Sequence, residues 1–297
     1  MSRKKEENPV SDWVHRMNAA LDYIESHLME DLSYVEAARA ACCPVQHFQR
    51  MFAFVTDIPL SEYIRRRRLT LAAFALQGSS VKVVDVALQY GYESPEAFAR
   101  AFQQLHGMTP TAARRIGAAL KAYPRLTFQF ALKGAAEMNY RMEQKEDFRV
   151  VGRRLQVQTE RAFEEVPAGW ANAAEEGLFG RLWEIRREDT PLPGILGVLS
   201  DGEWGQGDRF EYTYGIGSDA PVPEGLSKLH IPAALWAVFD VPGQPEAFQE
   251  IWRSMYTEWL PSAPYELANV PAIECYLPPD ENRNELWIPV EHAGQKS

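Results

Sequence analysis

Nowhere in the chain do about 18 apolar residues follow one another, the length a helix needs to cross a bilayer. The opening "MSRKKEENPV" has basic residues with no apolar stretch behind them, so neither a secretory leader nor a membrane contact is expected. Cysteine is scarce: Cys42 and Cys43 are adjacent and Cys275 is distant, a spacing that makes neither a disulfide framework nor a paired C-x-x-C metal site. A reducing cytoplasm is the expected compartment. Also lacking are a G-x-S-x-G elbow, a Cys/His nucleophile spacing and a clustered metal-ligand set; the six histidines are scattered. Neither cofactor nor metal is expected, and an enzyme is not the first expectation.

The 297 residues suggest two domains, and charge divides the same way. Up to residue 136 there are 17 Lys+Arg against 13 Asp+Glu, and after it 14 against 28, so a net +4 and a net −14 make up the formal −10. The acidic balance belongs to the second half and does not exclude a nucleic-acid partner for the first.

The first half is patterned for helices. In "SDWVHRMNAALDYIESHLM", Ser11 is a candidate N-cap, and Trp13, Met17, Leu21, Ile24 and Leu28 form one stripe at spacings of three and four. "FQRMF" (Phe48 to Phe52) recurs as "FARAF" (Phe98 to Phe102) 50 residues later, with Ala37 opposite Ala87. Each copy has a short Ala-rich helix, a tight turn and a second helix, so two helix-turn-helix units are expected. In the second copy Gly91 marks the turn, Ser94 the N-cap, Pro95 the first helical position and Gly107 the end.

Within each second helix the two Phe, four apart, share the core face, and the Arg between them points elsewhere. Gln46, Gln49 and Arg50, and likewise Glu96, Arg100 and Gln103, then form outward polar faces. Arg can hold guanine O6/N7 bidentately, Gln can hold adenine, and Glu can accept from cytosine N4, so these faces are candidates for reading double-stranded promoter DNA.

The four arginines of "EYIRRRRLTLAAFAL" cannot form one basic face, because successive helical residues turn by about 100°. Arg68 falls on the apolar stripe of Ile64, Leu71 and Ala75 and is read as structural. Arg66 points away and is a candidate phosphate contact.

In the second half short β-rich runs alternate with helices. Expected strands are "DFRVVGRRL", "GILGVLS", "FEYTYGIG", "ALWAVFDV", "AIECYL" and "ELWIPV"; expected helices include "EEGLFGRLWEIRRE" and "PEAFQEIWRSMYTEWL". In order they read strand, helix, strand, strand, twice over. A duplicated βαββ unit is the economical architecture, with two such sheets leaving a cleft between halves. Seven of the eight Trp lie after residue 169. Glu274 and Tyr276 share a strand face, and with Trp204, Tyr212, Tyr214, Trp236 and Trp287 they are candidates for binding a small-molecule effector. A carboxylate among aromatic rings offers a cation an ion pair plus cation–π attraction.

Residues 11 to about 117 resemble the DNA-binding domain of the AraC family of transcription regulators. The likeness is carried by "AARAACCPVQHFQRMF", "IPLSEYIRRRRLTLAAFAL" and above all "VVDVALQYGYESPEAFARAFQQLHGMTPTAARR". It implies seven helices, and that Gln46, Gln49, Arg50, Glu96 and Arg100 fall on positions used in adjacent major-groove segments. Pro44 departs from the pattern, standing where a helix-capping Ser is common. From about Glu137 to Val290 the chain resembles the GyrI-like, or multidrug-sensor type, effector-binding domain, through "FRVVGRR", "YTYGIGSD", "LHIPAALWAVFDVPG", "EWLPSAPYEL", "IECYLP" and "LWIPV". That likeness implies that the Glu274 carboxylate faces a cationic, aromatic-lined ligand.

The expectation is a multidomain protein: an all-α double helix-turn-helix domain over 8–120, a linker over 121–136, and an α+β domain of duplicated βαββ units over 137–293. Its function would be ligand-responsive transcription regulation, with RNA polymerase a further partner. Two alternatives stay open: a hydrolase of electrophilic small molecules with Glu274 as general base, and a ligand-sequestering protein.

Overall fold

A computed structural model describes residues 9–115, 117–129, 137–186, 190, 192–200, 209–243, 247–278 and 281–293. The first part holds α1 (Pro9–Ser26), α2 (Tyr34–Ala40), α3 (Val45–Thr56), α4 (Leu60–Leu76), α5 (Val83–Gln89), α6 (Pro95–His106) and the single turn α7 (Pro110–Ala113). α1 starts two residues before the expected Ser11 cap, with Pro9 in the first turn, where its missing N–H has no partner to lose. Its stripe of Met17, Leu21, Ile24 and Leu28 is buried.

Local chemistry sets the other ends. Ser33 and Ser94 accept from Glu36 N and Ala97 N, which caps α2 and α6. Gly91 and Gly107 take φ of 78° and 77°, the left-handed turn that a glycine makes without strain. Phe48 and Phe52 on α3, and Phe98 and Phe102 on α6, are fully buried, so the phenylalanine repeat marks the core face of each unit.

All four arginines are absorbed by the fold, Arg65 through a pair with both carboxylate oxygens of Glu62. Arg67, which the periodicity did not single out, holds Glu25 through both carboxylate oxygens and donates to the Tyr123 carbonyl at 2.6 Å. Arg68 donates to the carbonyls of Leu28 (2.8 Å) and Glu30 (3.2 Å), closing the chain that leaves α1. Arg66, expected to point away from the apolar stripe, is engaged by its neighbours. It pairs with Glu62 at 2.5 Å and its guanidinium lies 5.0 Å from the Tyr123 ring centre, because a strap after α7 crosses α4 at that point. The described part of the expected 121–136 linker is anchored: Phe128 exchanges two hydrogen bonds with Asn18 and packs on Trp13 and Phe52. Residues 130–136 lie outside the described residues.

The second part is one antiparallel sheet with helices on one face. Along the chain come β1 (Tyr140–Lys145), β2 (Phe148–Gln158), α8 (Ala162–Glu175), α9 (Leu178–Glu184), β3 (Ile195–Ser200), β4 (Arg209–Gly217), β5 (Ser227–Ile231), β6 (Ala234–Pro242), α10 (Ala247–Ser254), β7 (Tyr265–Leu267), β8 (Ala272–Tyr276) and β9 (Arg283–His292). After α10 the chain makes a π-helical turn, Met255–Trp259, and one more turn, Leu260–Ser262. The strand order is β1-β6-β9-β8-β3-β4-β2-β5, with β7 paired to β9. The two expected sheets are therefore one, because β3 and β8 pair directly, Leu196 opposite Cys275 and Gly197 opposite Glu274.

Alternation along the strands separates two cores. One face, with Leu199, Tyr212, Ile216, Phe239 and Leu286, meets the helices and runs on into the packing around α1 and α3. The other holds Val150, Val198, Trp236, Ile273 and Trp287. The second helix-turn-helix unit has a core of its own around Leu69, Phe98 and Phe102. No helix among the described residues is long and apolar enough to cross a membrane.

Candidate functional site

Where the helical face of the sheet meets α3, a cavity of about 520 Å³ opens. Its floor is strand side chains, Leu199, Phe210, Tyr212, Glu274 and Tyr276; its sides are Val166 and Trp170 of α8, Phe248 and Trp252 of α10, and Gln49, Arg50, Ala53 and Phe54 of α3. That size falls within the roughly 300–1,000 Å³ typical of small-molecule sites.

Glu274 is the chemical centre of this lining. It is 9% exposed. One carboxylate oxygen accepts from the Tyr212 hydroxyl at 2.8 Å and the Tyr276 hydroxyl at 3.1 Å, and the other from Trp252 Nε1 at 2.8 Å. Trp170 Nε1 in turn donates to the Tyr212 oxygen at 3.1 Å, so the carboxylate is held by a chain of neutral donors and not by a cation. Burial, with the adjacent carboxylate, holds the Tyr212 and Tyr276 phenols well above the ordinary tyrosine range, so both keep the proton they donate. Among the described residues Glu274 has no ion-pair partner. A buried carboxylate of this kind gains strongly from a cation brought to it.

A glycine makes the arrangement possible. Gly197 on β3 lies opposite Glu274, and a Cβ there would come 1.8 Å from the Tyr212 hydroxyl. Only a residue without a side chain lets that phenol reach the carboxylate. The "GILGVLS" run carries this signal, though nothing local in it names a partner.

Of the residues expected around an effector, Glu274, Tyr276 and Tyr212 lie on the cavity wall. Tyr214 backs it, packed on Tyr212 with ring centres 5.0 Å apart and bonded to the Val166 carbonyl. Trp236 and Trp287 do not belong to it. Trp287 sits opposite Ile273, not Glu274, so it shares the face of Ile273 on the far side of the sheet, where its ring centre lies 6.0 Å from that of Trp236. Trp204 lies outside the described residues. Trp170, Phe210, Phe248 and Trp252 were not singled out from sequence, because α8 was not foreseen and α10 showed no face until its partner sheet was known.

Comparison with known proteins identifies both halves. Residues 138–291 match the GyrI-like small molecule binding domain, and residues 37–116 match a helix-turn-helix domain. The chain is 38% identical over 91 residues to the HTH-type transcriptional activator AarP of Providencia stuartii, covering 31% of this chain and 67% of that protein. It is 40% identical over 95 residues to the Right origin-binding protein of Escherichia coli (strain K12), covering 32% of this chain and 33% of that one. The chain belongs to the AraC-type regulators with a GyrI-like domain. Among solved structures it is similar to SAV2435 bound to tetraphenylphosphonium, with 21% identity and a TM-score of 0.47, over 52% of this chain and 94% of that chain. The curated relatives named here match about a third of this chain, and the chain spans only about a third of the Right origin-binding protein.

In this AraC-type chain the two units sit differently against the GyrI-like domain. On α6 the side chains of Glu96, Arg100 and Gln103 are exposed. On α3 the expected outward face is covered: Gln49 is buried, and the Arg50 guanidinium lies over the rings of Phe210 and Trp252. The correction has a simple cause, since "outward" from the helix-turn-helix core is here "inward" to the cavity. The side chain of Gln46 lies outside the described residues. Phe54 stacks on Trp252, His47 meets the Tyr256 hydroxyl at 3.4 Å, and Arg16 pairs with Glu266 at 2.5 Å, so α1 and α3 dock on the domain together.

Proposed function

We propose that this regulator senses an aromatic, lipophilic cation in the cavity between α3 and the GyrI-like sheet, with Glu274 as counter-charge. The carrying observation is the buried Glu274 carboxylate, held by Tyr212, Tyr276 and Trp252 with no positive partner among the described residues, in a wall of aromatic rings. A cation there gains charge attraction in a largely apolar site plus cation–π contacts of about 0.5–2 kcal/mol each. DNA is read by Glu96, Arg100 and Gln103 of α6 and, once undocked, by Gln46, Gln49 and Arg50 of α3. Arg66, already paired to Glu62, contributes at most a phosphate contact.

The protein in this reading is a cytoplasmic regulator and not an enzyme. Three hydrogen bonds occupy most of the roughly four acceptor positions of Glu274, which suits a fixed counter-charge better than a general base. Contact with RNA polymerase is part of the reading, and exposed Phe74 and Leu88 supply apolar surface for it. The division at 8–120, 121–136 and 137–293 follows the change from helices to sheet. Duplicated βαββ units are supported by the strand order, in which β2-β4-β3 and β6-β9-β8 each place the last strand of a set in the middle.

The test is calorimetric titration of the whole chain with tetraphenylphosphonium and with neutral triphenylphosphine oxide. Glu274→Gln should weaken the cation at least about tenfold, the effect of 1.4 kcal/mol, and leave the neutral compound unchanged. Equal loss for both, or no cation binding by the unmodified protein, would overturn the reading.

A further inference from the structure

The first reading helix sets its own arginine where a ligand cation belongs. The Arg50 guanidinium carbon lies 5.4 Å from the ring centre of Phe210 and 4.9 Å from that of Trp252, and Trp252 is also the residue that donates to Glu274. No ion pair compensates the charge among the described residues, and Arg50 Nη1 is buried without a hydrogen-bond partner. A partly buried arginine ordinarily meets a carboxylate. This one meets two aromatic faces and the Tyr256 hydroxyl, at the rim of a cavity whose carboxylate has no ion-pair partner among the described residues.

We infer that Phe210 and Trp252 form a cation subsite, that Arg50 fills it in the docked state as a tethered stand-in for the effector, and that an aromatic cation releases α3 by taking its place. The inference rests on the reading that the cavity accepts such a cation. Three physical points give it direction. Aromatic faces hold a guanidinium only modestly, and a buried N–H without an acceptor works against that hold. A phosphonium has no N–H to leave unmet, so it fills the same faces without that penalty. Two positive charges in one largely apolar cavity repel, so occupancy by one disfavours the other.

The consequence is a direct link between the two halves. A ligand shifts an equilibrium only through different affinities for the two states, and here the undocked state is the one with an empty subsite. While Arg50 lies on Trp252 it cannot reach a base edge; once displaced, it and Gln49 return to the face that α6 already presents with Arg100 and Gln103. One side chain thus has two mutually exclusive partners, and the choice between them is the switch.

The test uses the full chain, tetraphenylphosphonium as probe, and hydrogen–deuterium exchange of residues 45–56. Arg50→Met keeps the stem and removes the charge; Arg50→Ala is the second variant should packing of the first interfere. Removal of the competitor should tighten phosphonium binding by about tenfold or less, as expected for one displaced cation–π occupant. Without ligand, Arg50→Met should speed exchange over 45–56, and saturating phosphonium should speed it in the unmodified protein. Weaker or unchanged phosphonium binding by both variants overturns the inference. So does unchanged exchange in ligand-free Arg50→Met, an arm that needs no ligand. Failure of Glu274→Gln to affect the phosphonium, with Arg50→Met still tightening it, would sink the counter-charge reading and leave the subsite standing.

Discussion

Arg253 of α10 holds Asp57, the left-handed residue that closes α3, with Nη2 2.5 Å from the Asp57 carboxylate. The pair spans the two halves at the end of α3, beside the Phe54–Trp252 stack. Both side chains are more than half exposed, so the pair trims the docking equilibrium and does not create it. Arg253→Glu should shift that equilibrium toward undocked α3 by a factor of about 1.4–5, the range that corresponds to roughly 0.2–1 kcal/mol for an exposed pair. Fluorescence anisotropy on DNA from upstream of its own gene should show tighter binding by that factor. The swap Asp57→Lys with Arg253→Glu should return it toward the original value; equal affinity of all three proteins would remove the pair from the docking contacts.

Gly197 carries the next prediction, because its missing side chain is space that Tyr212 uses. Gly197→Ala places a methyl where the Tyr212 hydroxyl lies, so the phenol must leave Glu274 or the strand must shift. Overpacking of this kind costs about 1–3 kcal/mol of stability. Calorimetric titration with tetraphenylphosphonium should show binding weakened together with stability, and Tyr212→Phe should weaken binding while restoring only part of the stability in the Gly197→Ala background, since the ring carbon that carried the hydroxyl still lies 2.6 Å from the new methyl. A fully stable Gly197→Ala single variant would mean the contact is looser than the geometry shows.

The helical half was legible because its signals are local. A Ser-Pro start and a Gly stop fix α6 without reference to anything distant, and Phe pairs four apart mark the core face. The sheet was legible as strands but not as faces. Trp236 and Trp287 look like ligand-cage aromatics by composition, and only the register opposite Val238 and Ile273 sends Trp287 to the far side. α8 has no clear helical signal in sequence because it carries Pro167 and Gly169, residue types that disfavour a helix interior; a Cβ at Gly169 would come 2.0 Å from the Tyr214 hydroxyl, so that glycine serves a contact 45 residues ahead in the chain. The covered face of α3 was illegible for a deeper reason. Periodicity defines outward relative to one core, and the docking partner of Arg50 lies some 160 residues or more further along.

The arginine run separates into roles that a stability measurement resolves. Arg67 is 9% exposed, bonds both oxygens of Glu25 and ties down the strap at Tyr123. Removing one partner of a mostly buried pair strands the other, so Arg67→Ala should cost about 3–5 kcal/mol in urea unfolding. Arg66→Ala loses a partly exposed pair with Glu62 and one contact with Tyr123, and should cost no more than about 1 kcal/mol. Equal costs would mean that the strap is held by something other than Arg67.

Acid should loosen the docked state through His47. This residue of α3 is fully buried against Tyr256, and burial, with the nearby charge of Arg50, pushes its imidazole down to about 3 from an ordinary 6.5. The folded protein therefore refuses a proton that the unfolded chain accepts as pH falls below 6.5. The stability from neutral His47 is fully present above that pH and is lost on going down toward 3, at a limiting slope of about 1.4 kcal/mol per pH unit. His106, also held low by burial, titrates in the same sense and is common to every variant compared. Urea unfolding of the unmodified protein at pH 7.5 and at pH 5.5 should show a loss larger by about 1 kcal/mol than that of His47→Leu over the same interval. Because His47 sits where α3 meets the sheet, the same acid step should speed exchange over residues 45–56 in the unmodified protein, and to a smaller extent in His47→Leu. Parallel pH profiles for the two proteins would show that His47 is already reached by water in the docked state.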